Sequence, residues 1–218
     1  MAVRLVIFDV DGTLANSQHN IINAMTDAFA AEGLPAPSAA AVRGVIGLSL
    51  LETMERLLPD ADAARHARLA EAYREAFFTR RARPDFEEPL FPGALDLLDS
   101  LDRQGVLLAL ATGKSRRGAL AFLERHGLGP RFLSVRTADD GPGKPDPWMI
   151  QDTLATLGQD AEHAVMIGDT TYDIEMARRA GVRPIGVSWG SHPVEALTAA
   201  GAWKVADSFT DVGAFLAE

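Results

Sequence analysis

Short runs of consecutive apolar residues punctuate the chain at Leu5–Phe8, Val106–Ala111, Ala164–Ile167 and Pro184–Val187, with a weaker one near Phe132–Arg136. Several are continuous rather than alternating, as expected of strands buried on both faces of a parallel sheet. Helical periodicity fills the gaps between them. Ala94–Arg103 carries Leu95, Leu98 and Leu101, and Arg116–His126 carries Leu120 and Leu123. Trp148–Leu157 and Tyr172–Ala180 continue the series, each followed by a glycine (Gly158, Gly181) that marks a helix end. Strands alternating with helices predict an α/β fold with a doubly wound, mostly parallel sheet.

Residues 15–89 break the alternation. Ile21, Met25 and Phe29 recur at helical spacing, as do Leu69, Tyr73 and Phe77, and Leu50, Met54 and Leu57 form a third stripe. Pro35, Pro37 and Pro59 punctuate between them. The pattern predicts a small unit of three or four helices that leaves the core after its first strand and rejoins it near Phe91-Pro92-Gly93. The expected organisation is a core of residues 1–14 and 90–218, with residues 15–89 as the inserted helical unit. No internal repeat is visible.

Composition narrows the class. The chain has 218 residues, 47% hydrophobic and 23% charged, which is ordinary globular usage and enough to bury a full core. The N-terminus runs straight into Asp9 with no apolar leader, and no apolar run approaches a membrane span, so a cytoplasmic protein without a membrane partner is expected. Thirty acidic residues against 21 basic ones give a formal charge of −9, which disfavours nucleic acid as a partner. The absence of cysteine excludes disulfides, thiolate catalysis and Cys-ligated zinc. Only three of the 21 basic residues are lysines: Lys114, Lys144 and Lys204.

Candidate chemistry gathers where strands end. In Phe8-Asp9-Val10-Asp11-Gly12-Thr13-Leu14, a strand closes on one acid and presents a second two residues later, on the same side. Gly12 permits a sharp turn whose amides, with Thr13, can face an anion. Two crowded carboxylates push their pKa values apart, so one can stay protonated while the other is an anion. Ile167-Gly168-Asp169-Thr170-Thr171-Tyr172-Asp173 repeats the theme, with Asp169 and Asp173 spaced to share a face at a helix start; helix capping is the simpler reading of that pair alone. Asp9, Asp11, Asp169 and Asp173 on one surface would need a cation, and an oxygen-only donor set without Cys or a His cluster favours Mg²⁺. Thr112, Gly113 and Lys114 follow the second strand as a possible phosphate-binding turn, in which Lys114 reads as solvated or as a substrate contact. In Gly143-Lys144-Pro145-Asp146-Pro147, Asp146 as N-cap and Pro147 at the first helical position would fix Lys144, whose compact ammonium suits a phosphate oxygen.

Taken in order, Asp9-x-Asp11-Gly12-Thr13, Thr112, Lys144 and Gly168-Asp169-x-x-x-Asp173 resemble the four motifs of the haloacid dehalogenase (HAD) superfamily, most closely its phosphoglycolate-phosphatase-like branch. The resemblance spans essentially the whole chain, and the helical insert is similar to that superfamily's small α-helical cap. It implies an Mg²⁺-dependent phosphatase acting on a small phosphorylated metabolite. Asp9 would be the nucleophile that forms an aspartyl-phosphate, and Asp11 the acid and then the base. Thr112 and Lys144 would hold the transferring group, and Mg²⁺ would sit on Asp9, Asp169 and the Asp11 carbonyl, with Asp173 holding metal-bound water or orienting Lys144. The cap would contribute specificity through the Gly44–Ser49 loop, Arg43 or the Arg80-Arg81-Ala82-Arg83 cluster, although such a cluster also suits a solvated helix end. His19 and His66 read as surface or cap residues. One departure is Ala15-Asn16-Ser17, where many relatives carry Asp-Ser.

Other activities fit less well. A dehalogenase would lack the second acid of the first motif. Phosphonoacetaldehyde hydrolysis would need a cap lysine, and residues 15–90 contain none. A sugar-phosphate mutase of the β-phosphoglucomutase type and a pyrophosphatase remain on the same scaffold, although Ile46-Gly47-Leu48 lacks the basic residue such mutases place there. A phospho-accepting receiver domain shares the Asp/Thr/Lys inventory but has no insert after strand one. An idle binding module is the remaining non-enzyme reading. The oligomeric state is not legible.

Overall fold

The computed structural model describes residues 3–218. Six parallel strands form one sheet: β1 (Leu5–Phe8), β2 (Leu107–Thr112), β3 (Phe132–Thr137), β4 (Ala164–Gly168), β5 (Arg183–Val187) and β6 (Lys204–Ala206). Their spatial order is β3-β2-β1-β4-β5-β6, so the winding reverses beside β1. In sheets of this order the crevice at the reversal, beyond the carboxyl ends of the strands, is where ligands bind.

The continuous apolar runs have a direct cause. All four residues of β1 are inaccessible, and alternate ones enter opposite layers. Val6 and Phe8 pack with Leu98 of α5 (Ala94–Arg103), Phe122 of α6 (Arg116–Arg125) and Val212 of α10 (Phe209–Leu216). Leu5 and Ile7 pack with Ile150 of α7 (Trp148–Leu157) and Met176 of α8 (Thr171–Arg179). A seven-residue helix, α9 (Val194–Ala200), joins β5 to the edge strand β6. The cap of α7 differs by one residue from the expected one. Pro147 takes the N-cap position, and Asp146 Oδ1 accepts the Trp148 N–H at 2.9 Å from one residue further out.

Between β1 and β2 the chain forms α1 (Gln18–Ala31), α2 (Ala39–Arg43), α3 (Leu50–Leu57) and α4 (Ala63–Arg81). They bury a separate cluster in which Ile21, Met25, Phe29, Met54 and Leu69 meet. Ser38, Ser49 and Asp62 cap the last three of these helices by accepting a backbone N–H three residues on. The two crossings into this insert lie side by side. Ala15 forms an antiparallel bridge with Leu90, the Asn16 N–H donates to Pro89 O at 2.8 Å, and Asn20 Nδ2 donates to Glu87 O at 2.7 Å. Among the described residues, no helix is long and apolar enough to cross a membrane.

Candidate active site

Because every strand points the same way, their carboxyl ends share one edge. Asp9 follows β1, Thr112 closes β2 and Asp169 follows β4, while Asp173 lies in the first turn of α8. The Asp9 N–H donates to Ile167 O at 2.9 Å, which ties the ends of β1 and β4 together. Asp9, Asp169 and Asp173 each offer an oxygen within 4.8 Å of the others, and all three are buried. Lys144 is fully buried among them, with Nζ 2.6 Å from Asp9 Oδ1 and 2.6 Å from Asp173 Oδ1. Asp9 Oδ2 is buried without a hydrogen-bond partner.

Local backbone explains how the acids approach so closely. A Cβ at Gly12, which has φ +87°, or at Gly190 would strike the Asp169 side chain. The Asp169 Oδ1 accepts from Thr13 Oγ1 at 3.0 Å, and Oδ2 accepts from the Ser191 N–H at 2.7 Å. Asp173 completes a capping box with Thr170, so the capping role and the clustered position coexist in one residue.

The electrostatics are lopsided. Burial pushes Asp9 up to about 6, with Lys144 opposing and Asp173 and Asp11 adding. Burial, then Asp9 and Asp173, push Asp169 up to about 8 against the bonds from Ser191. Burial would lower the Lys144 ammonium, but Asp173 and Asp9 hold it above its ordinary range. Repulsion between Asp9 and Asp11 is therefore a lesser cause than the sequence suggested. Three buried carboxylates against one ammonium, with an orphaned carboxylate oxygen among them, fit a hard divalent cation held by oxygen.

Asp11 stands apart from this group. Its Oδ1 accepts from Ser17 Oγ at 2.5 Å and from Lys114 Nζ at 2.7 Å. Lys114 is not solvated: its side chain is 6% exposed and also bonds Glu88 Oε1 at 2.9 Å. Burial would lower it, and the paired carboxylates Asp11 and Glu88 more than restore it. The turn amides expected to face an anion are engaged within the turn, since Gly12 N–H donates to Ala15 O at 2.9 Å and Thr13 N–H to Val10 O at 3.3 Å. Thr13 likewise directs its hydroxyl to Asp169 rather than to open space. Thr112 is buried, and its Oγ1 accepts the Lys114 N–H at 3.2 Å, which leaves its own proton to donate.

A cavity of about 770 Å³ lies between the insert and the strand ends. Asp9, Asp11, Gly113 and Lys114 line it from the core, and Ile46, Gly47, Leu48, Phe77 and Arg81 from the insert. The loop of residues 44–49 sits directly on β2: a Cβ at Gly113 would come 2.8 Å from Gly47 O. Tyr172 holds the same loop by donating to Gly44 O at 2.8 Å. Of the arginine cluster, Arg81 lines the cavity, whereas Arg80 pairs with Asp27 and Arg83 with Asp85. Arg43 is not among the cavity-lining residues. His19 is exposed, and His66 is buried with Nε2 2.9 Å from Leu58 O.

Sequence reasoning did not single out Glu88 or Ser191. Ser191 carried a signal, because it follows β5 at the same sheet edge as Asp9 and Asp169. Glu88 carried none beyond an acid in a linker.

A parallel sheet that presents buried aspartates and a buried lysine at its reversal point places this α/β protein among those whose ligand site lies at the strand ends. The sequence profile of the haloacid dehalogenase-like hydrolases matches residues 6–187. The chain is 37% identical over 211 residues to a protein of Dickeya dadantii named probable phosphatase IndB, covering 95% of this chain and 91% of that one. It is 36% identical over 211 residues to a phosphoglycolate phosphatase of Caulobacter vibrioides, covering 95% and 88%. The crystal structure of a hydrolase from Pseudomonas syringae superposes with a TM-score of 0.87 at 26% identity, covering 100% of this chain and 98% of that one. The chain belongs to the haloacid dehalogenase-like hydrolase family.

Proposed function

We propose that the chain is a phosphatase that hydrolyses a small phosphomonoester of the phosphoglycolate kind through an aspartyl-phosphate on Asp9. One observation carries the reading: Asp9 lines the cavity, keeps Oδ2 free of partners and has Oδ1 pinned by Lys144. Such a carboxylate is oriented for attack on phosphorus, and the ammonium stabilises charge on the phosphoryl oxygens. Asp11, with Oδ1 held by Ser17 and Lys114, donates a proton to the leaving oxygen and then takes one from the water that releases phosphate. Thr112 donates its hydroxyl to the phosphoryl group. Asp9, Asp169 and the main chain of Asp11 would hold Mg²⁺, and Asp173 orients Lys144. When bound, the ion neutralises the repulsion between an anionic nucleophile and an anionic substrate. The helical insert of residues 15–89 acts as the cap that closes the cavity over a small metabolite and limits its water. The names of the Dickeya and Caulobacter relatives support a phosphatase.

The test is phosphate release from 2-phosphoglycolate and from p-nitrophenyl phosphate with and without Mg²⁺. Wild-type chain is expected to turn over both only with the ion. Asp9→Asn should lower kcat by about 10⁴-fold or more. Near-normal kcat in that variant would refute the nucleophile.

A further inference from the structure

The wall that the insert gives the cavity holds a cation the proposed chemistry does not use. Arg81 ends α4 at the inner side of the insert, and its Nη2 is buried without a hydrogen-bond partner among the described residues. A half-buried arginine with one buried N–H left uncommitted is costly unless something arrives to accept from it. The group is also held in place. Its Cζ lies 5.2 Å from the Phe77 ring centroid and 5.9 Å from that of Phe86, so two aromatic faces fix the planar fork.

Arg81 stands close to the reacting end of the cavity. Lys114 Nζ lies 5.6 Å from the same Phe77 centroid and bonds Asp11 Oδ1 at 2.7 Å. Lys114 is committed to Asp11 and Glu88, whereas Arg81 has no carboxylate within ion-pair distance among the described residues. The other arginines lining the cavity, Arg74 and Arg117, are exposed, one paired with Glu71 and the other stacked on Phe78. The acids that line it beside Asp9 and Asp11, namely Glu71, Glu75 and Asp139, are exposed too.

We infer that Arg81 receives a carboxylate on the leaving group, so that the chain selects short phosphomonoesters carrying a second anionic group one end away from the phosphate. The inference rests on the phosphatase reading and narrows it. A planar fork matches a carboxylate with two parallel N–H bonds. Arg81 Cζ and the Nζ of the Asp11-bound Lys114 lie 5.2 and 5.6 Å from the centroid of one ring, Phe77, which puts the fork on the leaving-group side of the cavity.

The test compares 2-phosphoglycolate with ethyl phosphate, which keeps the ester and lacks the carboxylate, in saturating Mg²⁺. Wild-type chain is expected to favour 2-phosphoglycolate in kcat/KM. Arg81→Met should lower the ratio of the two kcat/KM values by about 10- to 100-fold, the worth of a charge-assisted hydrogen bond, and Arg81→Lys should lower it less. A loss shared equally by both esters leaves the ratio unmoved and overturns the inference, as does a wild-type preference for ethyl phosphate. Inorganic pyrophosphate is the third substrate. If Arg81→Met impairs it while sparing 2-phosphoglycolate, the fork reads a second phosphate and the carboxylate assignment is wrong. Calorimetric titration of 2-phosphoglycolate into Asp9→Asn, with and without Arg81→Met, reads the same contact without turnover. Absence of hydrolysis in wild type would sink the phosphatase reading alone. Unchanged affinity on adding Arg81→Met would sink this one.

Discussion

The strand-end surface has two poles made of the same parts in different proportions. Between β1 and β4, three buried carboxylates surround Lys144; between β1 and β2, Asp11 and Glu88 share Lys114, with Arg81 across the cavity. The first pole carries more negative charge than its lysine can answer, and burial, with that crowding added, raises Asp9 and Asp169. The second is close to balanced. A deficit of positive charge draws a cation from solution, whereas at the second pole Arg81 across the cavity answers the one negative charge that Lys114 leaves over, so no further cation is called for. On the proposed chemistry, the metal would fall to the first pole and the leaving group to the second.

The comparison can be broken in several ways. After the nucleophile itself, Lys144→Ala should have the largest effect, because it deepens the deficit where the phosphoryl group sits. A fall in kcat of about 100- to 1,000-fold is expected. A fall in 2-phosphoglycolate affinity alone would move Lys144 from the reacting centre to binding. At the balanced pole, Glu88→Gln removes one of the two partners of Lys114. A stability loss of about 1–3 kcal/mol in urea is expected, with a shift in the pH profile of kcat as Lys114 turns wholly to Asp11. Equal pH profiles for variant and wild type would cut the link between Glu88 and Asp11.

A smaller effect should appear in the pH dependence of stability. Asp9 and Asp169 are held up at about 6 and about 8, against an ordinary 3.8. In that window the folded chain without Mg²⁺ binds more protons than the unfolded chain, so its stability falls as pH rises through those values. In EDTA, Tm should be higher by a few degrees near about pH 5 than near about pH 8.5, and Mg²⁺ should remove most of the difference. A Tm that rises with pH in EDTA would mean the acids are not crowded.

How much of this was legible follows from burial. β1, β2 and β4 announce themselves because both faces are covered, which forces unbroken apolar runs. β6 does not, since Lys204-Val205-Ala206 is a three-residue edge strand, nor does α9, whose seven residues bury only Leu197. The sheet order rests on long-range pairings that no local pattern encodes. At the site, Asp9 and Asp169 were visible because each follows an apolar run, and Asp11 and Asp173 by their spacing from them. Lys114 was misjudged as solvated because the partner that buries it, Glu88, is 26 residues away in a linker. Arg81 was visible only as one of three neighbouring arginines, and which of them turns inward depends on Phe77 and Phe86.

The laced crossings at Ala15 and Leu90 set how the insert joins the core. Main-chain bonds tie both passages to each other, as pages are tied at a spine. Glu88 lies in that spine and grips Lys114, which grips Asp11. The passage that fastens the insert to the core therefore also fixes the Asp11 carboxylate, through two ion pairs in series.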